Sequence, residues 1–279
     1  MNQEINHIAA GVVLYHPNQN WIQHVESYVS EVDVLIIIDN SIAPISKDLL
    51  NFHPHIQYEH YPQNIGVAAA INKMLEAANK LNCTWLMTMD QDSYFNKNEA
   101  KDYISQVKSH DELTIGIGPS ISNHPTESNN PLILISSGMC IRVQKSIELG
   151  GMKEELFIDQ VDHFFCLQVQ AAGFKMKLIP NIVLQHSLGE SRSINYKNHS
   201  NKTVYLHSPT RLYYMTRNVF YLSKHFKNTY PAFVKQQKVG LLHRIKNRIK
   251  YETDLWETVK MVFLGILHFY QNKMGKLQS

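Results

Sequence analysis

The 279-residue chain has three cysteines, no long apolar stretch and no glycine-rich nucleotide loop. Cys83, Cys140 and Cys166 are odd in number and widely spaced, which predicts neither a disulfide framework nor a zinc site and favours a reducing compartment. The longest late apolar run, residues 261–270, is too short to span a bilayer. Neither G-x-G-x-x-G nor a Walker lysine loop occurs, which argues against dinucleotide and P-loop chemistry.

Acidic residues are absent from residues 191–250, where thirteen positive charges occur. They are Arg192, Lys197, Lys202, Arg211, Arg217, Lys224, Lys227, Lys235, Lys238, Arg244, Lys246, Arg248 and Lys250. This segregation predicts an anionic partner, either phosphate or an acidic membrane surface, although a solvated basic face remains the alternative. Aromatic residues interleave with these bases, but no nucleic-acid motif accompanies them, so we expect no nucleic-acid partner.

The start of the chain lacks the basic residues and apolar stretch of a signal peptide. A cytoplasmic protein is therefore the expectation. At 44% hydrophobic and 18% charged residues, the chain can bury a full core and is not typical of disorder.

Short β-branched runs alternate with helical patterns through the first 190 residues. Strands are predicted at residues 8–15, 34–38, 56–59, 85–89, 115–118 and 132–135, and an amphipathic helix at residues 67–81. This alternation predicts an α/β fold with a Rossmann-like, mainly parallel sheet and helices on both faces. We expect this domain to occupy residues 1–190, followed by a basic, mainly helical region at residues 191–279.

Polar clusters follow three of the predicted strands. They are Tyr15-His16-Pro17, Asp39-Asn40-Ser41 and Asp90-Gln91-Asp92. Ligands of such sheets bind at the carboxyl edge, so the clusters should converge there, and two carboxylates one residue apart can hold a divalent cation against a diphosphate. The alternative is that Asp90 and Asp92 only form a turn.

Other residues near this edge have two possible roles. Asp39 could accept a hydrogen bond from a pyrimidine base, or form a turn with Asn40. Gly66 permits close approach of backbone or ligand before the predicted helix, whereas Asn64 could simply cap that helix.

The motifs, taken in order, resemble those of the family 2 glycosyltransferases, over roughly residues 8–220. They are 13–17 (Val-Leu-Tyr-His-Pro), 38–41 (Ile-Asp-Asn-Ser), 64–72 (Asn-x-Gly-x-Ala-x-Ala-x-Asn), 85–93, Ser137-Gly138, 156–162 (Leu-Phe-Ile-Asp-Gln-Val-Asp), 173–175 (Gly-Phe-Lys) and 186–189 (His-Ser-Leu-Gly). The variant at residues 157–162, with His-x-Leu-Gly after it, is most similar to the bacterial rhamnosyltransferase branch.

That resemblance implies a GT-A fold and an inverting transfer from a nucleotide sugar, dTDP-L-rhamnose, with Mg or Mn as divalent metal. With this reaction we expect a lipid-linked saccharide acceptor. The basic region at residues 191–250 predicts peripheral contact with the inner face of the cell membrane. Three alternatives stay open: another nucleotide sugar, a non-catalytic nucleotide-sugar-binding scaffold, and a nucleotidyltransferase.

The resemblance also implies roles for single residues. Asp162 and Asp159 are the candidate general bases, with helix capping as the alternative, and Asp90, Asp92 and His186 are the candidate metal ligands. His186 could instead make a structural hydrogen bond, and Gly138 could be a bulge rather than a contact to the sugar. The candidate donor contacts are Tyr15, His16, Asp39, Asn40, Asn64, Gly66, Asn72, Asp90, Gln91, Asp92, Ser137, Gly138 and Arg217.

The sequence departs from the family pattern at two positions of the predicted base helix. Phe164 replaces a usual acid and Gln168 a usual arginine. We expect the first to alter contacts to the donor or acceptor and the second to remove a cation from the surroundings of the site.

Overall fold

The computed structural model describes residues 7–122, 131–186, 191–196 and 200–278. The chain forms two compact units. The first comprises Met1–Phe157 and Val161–Ser187, and the second comprises Ile158–Gln160 and Leu188–Ser279. Each unit is described by itself below.

The first unit is built on an eight-stranded sheet. Its strands are β1 (Ile8–Leu14), β2 (Val34–Asp39), β3 (Ile56–His60), β4 (Trp85–Asp90), β5 (Tyr94–Phe95), β6 (Thr114–Ile121), β7 (Met139–Arg142) and β8 (Lys175–Gln185). They lie in the order β3-β2-β1-β4-β7-β6-β8-β5.

The sheet is mixed, with a larger parallel share than antiparallel. Strands β3, β2, β1 and β4 pair in parallel, as do β6 and β8. Strand β7 runs antiparallel between β4 and β6, and β5 pairs antiparallel with the end of β8. The predicted parallel arrangement is therefore followed most closely by the four neighbouring strands β3, β2, β1 and β4.

Helices cover both faces of this sheet. They are α1 (Trp21–Glu26), α2 (Gly66–Lys80), α3 (Glu99–Val107), α4 (Val143–Glu148) and α5 (Val161–Ala171). Ile8 and Val12 of β1 belong to the core cluster that includes α1 and α3, whereas Gly11 faces Met74 of α2. Since successive strand residues point to opposite faces, β1 is buried on both sides, which explains its continuous apolar run.

The strand predicted at residues 132–135 does not form, and this segment is irregular. Its backbone pairs with side chains of α5 instead. Leu132 donates to the Gln170 side chain at 3.0 Å and accepts from it at 2.8 Å, and the Leu134 N–H lies 3.4 Å from the Cys166 sulfur. These contacts satisfy polar groups that a sheet ladder would otherwise pair.

The described residues of the second unit form a two-stranded antiparallel sheet and three helices. The elements are β9 (Ser191–Tyr196), β10 (Ser200–Tyr205), α6 (Pro209–Phe226), α7 (Pro231–Tyr251) and α8 (Leu255–Tyr270). Ser208 caps α6 by accepting from the Arg211 N–H at 3.2 Å, and Pro209 opens the helix with its fixed φ. Among the described residues, no helix combines the length and apolar character that crossing a membrane requires.

Candidate functional site

Strand register places the polar clusters at one edge of the sheet. Leu14, at the end of β1, pairs with Asp39 on one side, and its neighbour Val13 pairs with Asp90 on the other. Because these strands are parallel, their carboxyl ends share one edge. The segments that follow β1, β2 and β4 therefore converge as the sequence predicts.

Asp90, Asp92 and His186 form an acidic and imidazole cluster at this edge. One ligand atom from each lies within 4.8 Å of the others. The His186 Nδ1 is 3.6 Å from an Asp92 oxygen and 4.0 Å from an Asp90 oxygen, and both carboxylates are partly exposed. Carboxylate oxygens are preferred ligands of Mg and Mn, and the exposure of both carboxylates leaves room for further oxygen ligands.

Two buried serines connect this cluster to the neighbouring loop. The Asp90 N–H donates to the Ser137 hydroxyl at 3.2 Å, and that hydroxyl donates to the Ser93 hydroxyl at 2.7 Å. The Ser93 oxygen in turn lies 2.7 Å from the His186 Nδ1. This nitrogen is the one that faces the Asp90 and Asp92 oxygens, so Ser93 holds the His186 ring beside the carboxylates. A cation bound through Nε2 would keep this contact, whereas a cation bound through Nδ1 would replace it.

The same loop, residues 136–138, reaches the predicted catalytic carboxylate. The Thr88 hydroxyl donates to the Ser136 carbonyl, the Gly138 N–H donates to the Thr88 carbonyl at 2.7 Å, and the Ser136 N–H donates to the Asp162 carboxylate. One loop thus contacts the end of β4 and the start of α5. Asp162 and Asp90 consequently belong to one local network.

Asp162 lies in the first turn of α5 and is paired with the next residue. Its carboxylate accepts from both the backbone N–H and the Nδ1 of His163, each at 2.8 Å. Burial alone raises the pKa of this carboxyl, but the charge and hydrogen bonds of His163, with the Ser136 N–H, outweigh it and lower the pKa. The helix N-terminus favours the ionised form in the same direction. Asp162 is therefore held as a carboxylate.

Asp39 is fully buried at the end of β2. Its oxygens accept from the Ser41 N–H at 2.9 Å, the Ile45 N–H at 3.1 Å and the Tyr58 hydroxyl at 2.8 Å. Burial raises the pKa of the carboxyl, but the hydrogen bonds from Ser41, Tyr58 and Ile45 prevail and lower it. These contacts agree with the turn-forming role, and contact with a base remains a prediction.

Asn40, Asn64 and Gly66 shape the turn before α2. Asn64 has a positive φ, and its side chain accepts from the Gly66 N–H at 3.0 Å; Asn40 accepts from the Ile65 N–H at 3.2 Å. Gly66 also has a positive φ of 84°, and a Cβ there would lie 2.5 Å from the Phe157 ring. The glycine is thus required by protein packing, and contacts to a donor stay a prediction for all three residues.

The other donor candidates of the first unit also make protein contacts. Asn72 exchanges hydrogen bonds with Met152, accepting from its N–H at 2.8 Å and donating to its carbonyl at 2.9 Å. Gln91 accepts from the Tyr15 N–H at 2.8 Å and so ties β1 to β4, whereas the side chains of Tyr15 and His16 are exposed at the site edge. The side chains of Tyr15 and His16 are therefore exposed to solvent, whereas those of Asn72 and Gln91 form hydrogen bonds with the protein backbone.

Gly138 is enclosed rather than open. Its φ is 79°, and a Cβ would lie 2.9 Å from the Leu184 side chain. The hydroxyl of buried Tyr103 donates to its carbonyl at 2.7 Å. Packing accounts for this glycine, and the predicted approach to a sugar has no separate support.

Two site candidates lie in the second unit. Asp159 has a positive φ of 63°, and its carboxylate pairs with Arg211 at 3.1 Å. Arg217 is fully buried and donates to the Tyr213 hydroxyl at 3.1 Å and the Gly275 carbonyl at 2.7 Å. The guanidinium thus stabilises the helices of this unit, while its contact to phosphate remains a prediction.

Sequence reasoning missed three residues of the network, Ser93, Ser136 and His163, and it also missed Tyr58, which contacts Asp39. Ser93 follows Asp92 directly and His163 follows Asp162, so adjacency to a candidate carboxylate was the available signal. No local pattern marks Ser136 or Tyr58, whose partners are distant in sequence. Ser187, Leu188 and Gly189 of the predicted His-x-Leu-Gly motif lie outside the described residues.

Solved structures with a similar fold include TarS of S. aureus. TarS 1-349 in complex with UDP-GlcNAc matches with a TM-score of 0.56 and 13% identity, over 95% of this chain and 81% of that one. A second TarS structure matches with a TM-score of 0.53 and 14% identity, and this chain spans 49% of its length. These likenesses confirm the predicted GT-A-like fold.

Sequence comparison identifies a curated relative and a family. The dTDP-rhamnosyl transferase RfbF of Shigella flexneri is 27% identical over 280 residues, covering 88% of this chain and 92% of the relative. The profile described as "Glycosyl transferase family 2" matches residues 20–178, more than half of the chain. Together with the carboxylate cluster and the α/β sheet, this match favours a glycosyltransferase over a nucleotidyltransferase. The protein belongs to glycosyl transferase family 2.

Proposed function

We propose that this glycosyltransferase moves L-rhamnose from dTDP-rhamnose to a lipid-linked saccharide with inversion at the anomeric carbon. The observation that carries the proposal is the Asp90–Asp92–His186 cluster, joined through loop 136–138 to the ionised Asp162. The relative RfbF, described as a dTDP-rhamnosyl transferase, supports the choice of donor.

In the proposed reaction the donor diphosphate lies against Asp90, Asp92 and His186. These three residues would hold a divalent cation, which would supply positive charge for the leaving diphosphate. Asp162 accepts the proton of the acceptor hydroxyl as its oxygen forms the new bond to the anomeric carbon. The bond from that carbon to the diphosphate breaks, and dTDP departs with the electron pair.

The lowered pKa of Asp162 fits this role because a general base must be unprotonated before the reaction starts. Asp162→Asn is nearly isosteric and should leave donor affinity close to normal, while turnover falls by about a hundredfold or more. Asp159→Asn is the comparison variant. Loss of turnover in Asp159→Asn with a mild effect of Asp162→Asn would reverse the assignment.

The donor can be tested by thermal unfolding of the full chain with Mg or Mn and a panel of nucleotide sugars. A ligand that binds only the folded state stabilises it by about 2.7 kcal/mol at a hundred times its Kd. We expect dTDP-rhamnose to raise the melting temperature more than UDP-GlcNAc, with a smaller shift when metal is omitted. A larger shift from another nucleotide sugar would contradict the donor assignment, and binding without any transfer would support a scaffold.

Peripheral contact with the inner face of the cell membrane forms part of the proposal. It is supported by the acid-free segment of residues 191–250, since each basic residue near an anionic leaflet contributes about 1 kcal/mol. Sedimentation with anionic vesicles should show binding that weakens as salt rises, and truncation after Tyr230 should abolish it. Equal recovery of both proteins in the unbound fraction at low salt would refute the contact.

A further inference from the structure

Helix α8 has one face that is fixed toward α6. Thr258, Met261 and Gly265 are its buried residues. A Cβ at Gly265 would lie 2.7 Å from the Tyr213 carbonyl oxygen, so the two helix backbones approach closely there. This contact sets the rotation of α8 about its axis and defines which residues point away from α6.

The opposite face of α8 is apolar and exposed. Its residues recur every three or four positions along the whole helix: Trp256, Val259, Phe263, Leu267 and Tyr270, with exposures of 79%, 45%, 64%, 38% and 73%. Tyr270, at the end of the row, is exposed but its ring also contacts the Phe220 ring of α6, with the centroids 6.4 Å apart. Side chains at this spacing form one continuous row, which we call the α8 stripe. A helix face in water normally carries polar residues, and a contiguous exposed apolar patch marks an interaction surface.

The outward face of α7 alternates lysines with apolar side chains. Val234 and Leu241 are the buried residues of α7. The outward residues are Lys235, Val239, Leu242, Lys246, Ile249 and Lys250, all exposed. Helix α7 contains six basic residues and no acid, and it contacts α8 where Arg248 donates to the Thr258 hydroxyl at 3.2 Å. Positive charge therefore accompanies the α8 stripe within the same unit.

We propose that the α8 stripe inserts into the surface of an anionic phospholipid bilayer while the lysines of α7 contact the headgroups. The inference rests on the proposed membrane contact and assigns the surface that makes it. A helix of 16 residues is about 24 Å long, shorter than the hydrocarbon core, so α8 lies in the plane of the interface. Trp256 and Tyr270, near the two ends of the helix, are residue types that favour this boundary.

Charge favours a lipid surface over a second copy of the chain. A symmetric dimer through the α8 stripe would bring two acid-free α7 helices into one assembly, where like charges repel. Anionic headgroups instead provide opposite charge, and the acyl region receives the apolar side chains.

Tryptophan fluorescence of the full chain provides a direct test. Trp21 and Trp85 are buried, whereas Trp256 is exposed in the α8 stripe, so changes on lipid binding report on Trp256. With vesicles containing phosphatidylglycerol, the emission should shift to shorter wavelength and be quenched by brominated acyl chains. Vesicles of phosphatidylcholine alone should give a weaker response.

Variants distinguish the α8 stripe from general surface effects. Phe263→Ser should reduce vesicle partitioning about tenfold or more, because one buried apolar side chain contributes at least that much. Ile42→Ser is the matched control, since Ile42 is 73% exposed in the first unit. Lys246→Gln with Lys250→Gln should reduce the dependence on anionic lipid and on salt.

Equal vesicle partitioning of Phe263→Ser and the unchanged protein would overturn the proposal. So would a Trp256 shift that depends on protein concentration without lipid and accompanies dimerisation in sedimentation, because it would identify a second copy as the occupant. Stabilisation by dTDP-rhamnose, measured on the same variants without lipid, tests the donor proposal separately.

Discussion

Replacing Ser93 by alanine removes the hydroxyl that holds the His186 ring beside the carboxylates of Asp90 and Asp92. Ser93 is fully buried, and its oxygen lies 2.7 Å from both the Ser137 hydroxyl and the His186 Nδ1. The substitution leaves His186 without the partner that orients its ring, while Asp90 and Asp92 are unchanged. Any loss of metal affinity in Ser93→Ala therefore acts through ligand position.

The expected size follows from the lost Ser93–His186 hydrogen bond, because the Ser137–Ser93 bond does not reach the imidazole. At about 1 kcal/mol, this bond corresponds to a factor of about five in an affinity that depends fully on it. Loss of a contact that orients a metal ligand typically costs about tenfold to a hundredfold in metal affinity. For a cation held through Nε2 we therefore expect Ser93→Ala to weaken Mn binding by about fivefold to a hundredfold.

Calorimetry with Mn measures the affinity, and urea unfolding without metal measures the free energy of unfolding. Ser146→Ala is the control, because Ser146 is buried and its hydroxyl has no hydrogen-bond partner among the described residues. It should change Mn affinity by less than about twofold. The reasoning fails if Ser93→Ala lowers the unfolding free energy while Mn affinity stays within about twofold of the unchanged protein.

Three further predictions address the carboxylates and one turn. Asp92→Asn should abolish metal-dependent donor binding with the fold intact, and unchanged diphosphate affinity in calorimetry would exclude Asp92 as a ligand. His163→Leu removes a contact that lowers the pKa of Asp162, so the acidic side of the pH profile of kcat/KM should move to higher pH. An unchanged pH profile would show that His163 does not set the pKa of the catalytic group. Gly66→Ala should lower the unfolding free energy by more than Gly150→Ala. Both glycines have positive φ, costing about 1–2 kcal/mol for alanine, but only Gly66 also meets a close side chain. Urea unfolding compares the two, and equal losses would show that the close contact relaxes without cost.

The strands that form the site edge were predictable because local sequence determines them. Strands β1, β2 and β4 are continuous apolar runs that end at polar clusters, and parallel pairing then brings the ends together. Asp90 and Asp92 could be placed for the same reason. His186, far along the chain, could be joined to them only through the family resemblance, because no spacing rule connects residues so distant.

Side-chain partners across long separations were not predictable. Asn72 belongs to a family motif and was expected at the donor, yet its amide exchanges hydrogen bonds with Met152, 80 residues away. The segment at residues 132–135 has the composition of a strand, but Gln170 satisfies the backbone of Leu132. For residues 132–135 the tertiary contact decides the structure, because the local pattern is compatible with either outcome. For Asn72 the structure adds a contact that the sequence did not show, and the donor contact stays a prediction.

The two departures from the family pattern, Phe164 and Gln168, both lie in helix α5. Phe164 is buried, and the Gln168 amide donates to the Leu149 carbonyl, so both side chains hold α5 within the first unit. Helix α5 carries Asp162, whose carboxylate must stay aligned with the Ser136 N–H. An acid at position 164 would need a buried partner that an apolar ring does not, because an unpaired buried carboxylate is costly. The departures therefore act on the helix that carries the proposed general base. We expect a substitution such as Phe164→Glu to reduce turnover through a displaced Asp162 while metal affinity is unchanged, and normal turnover with an intact fold would contradict this.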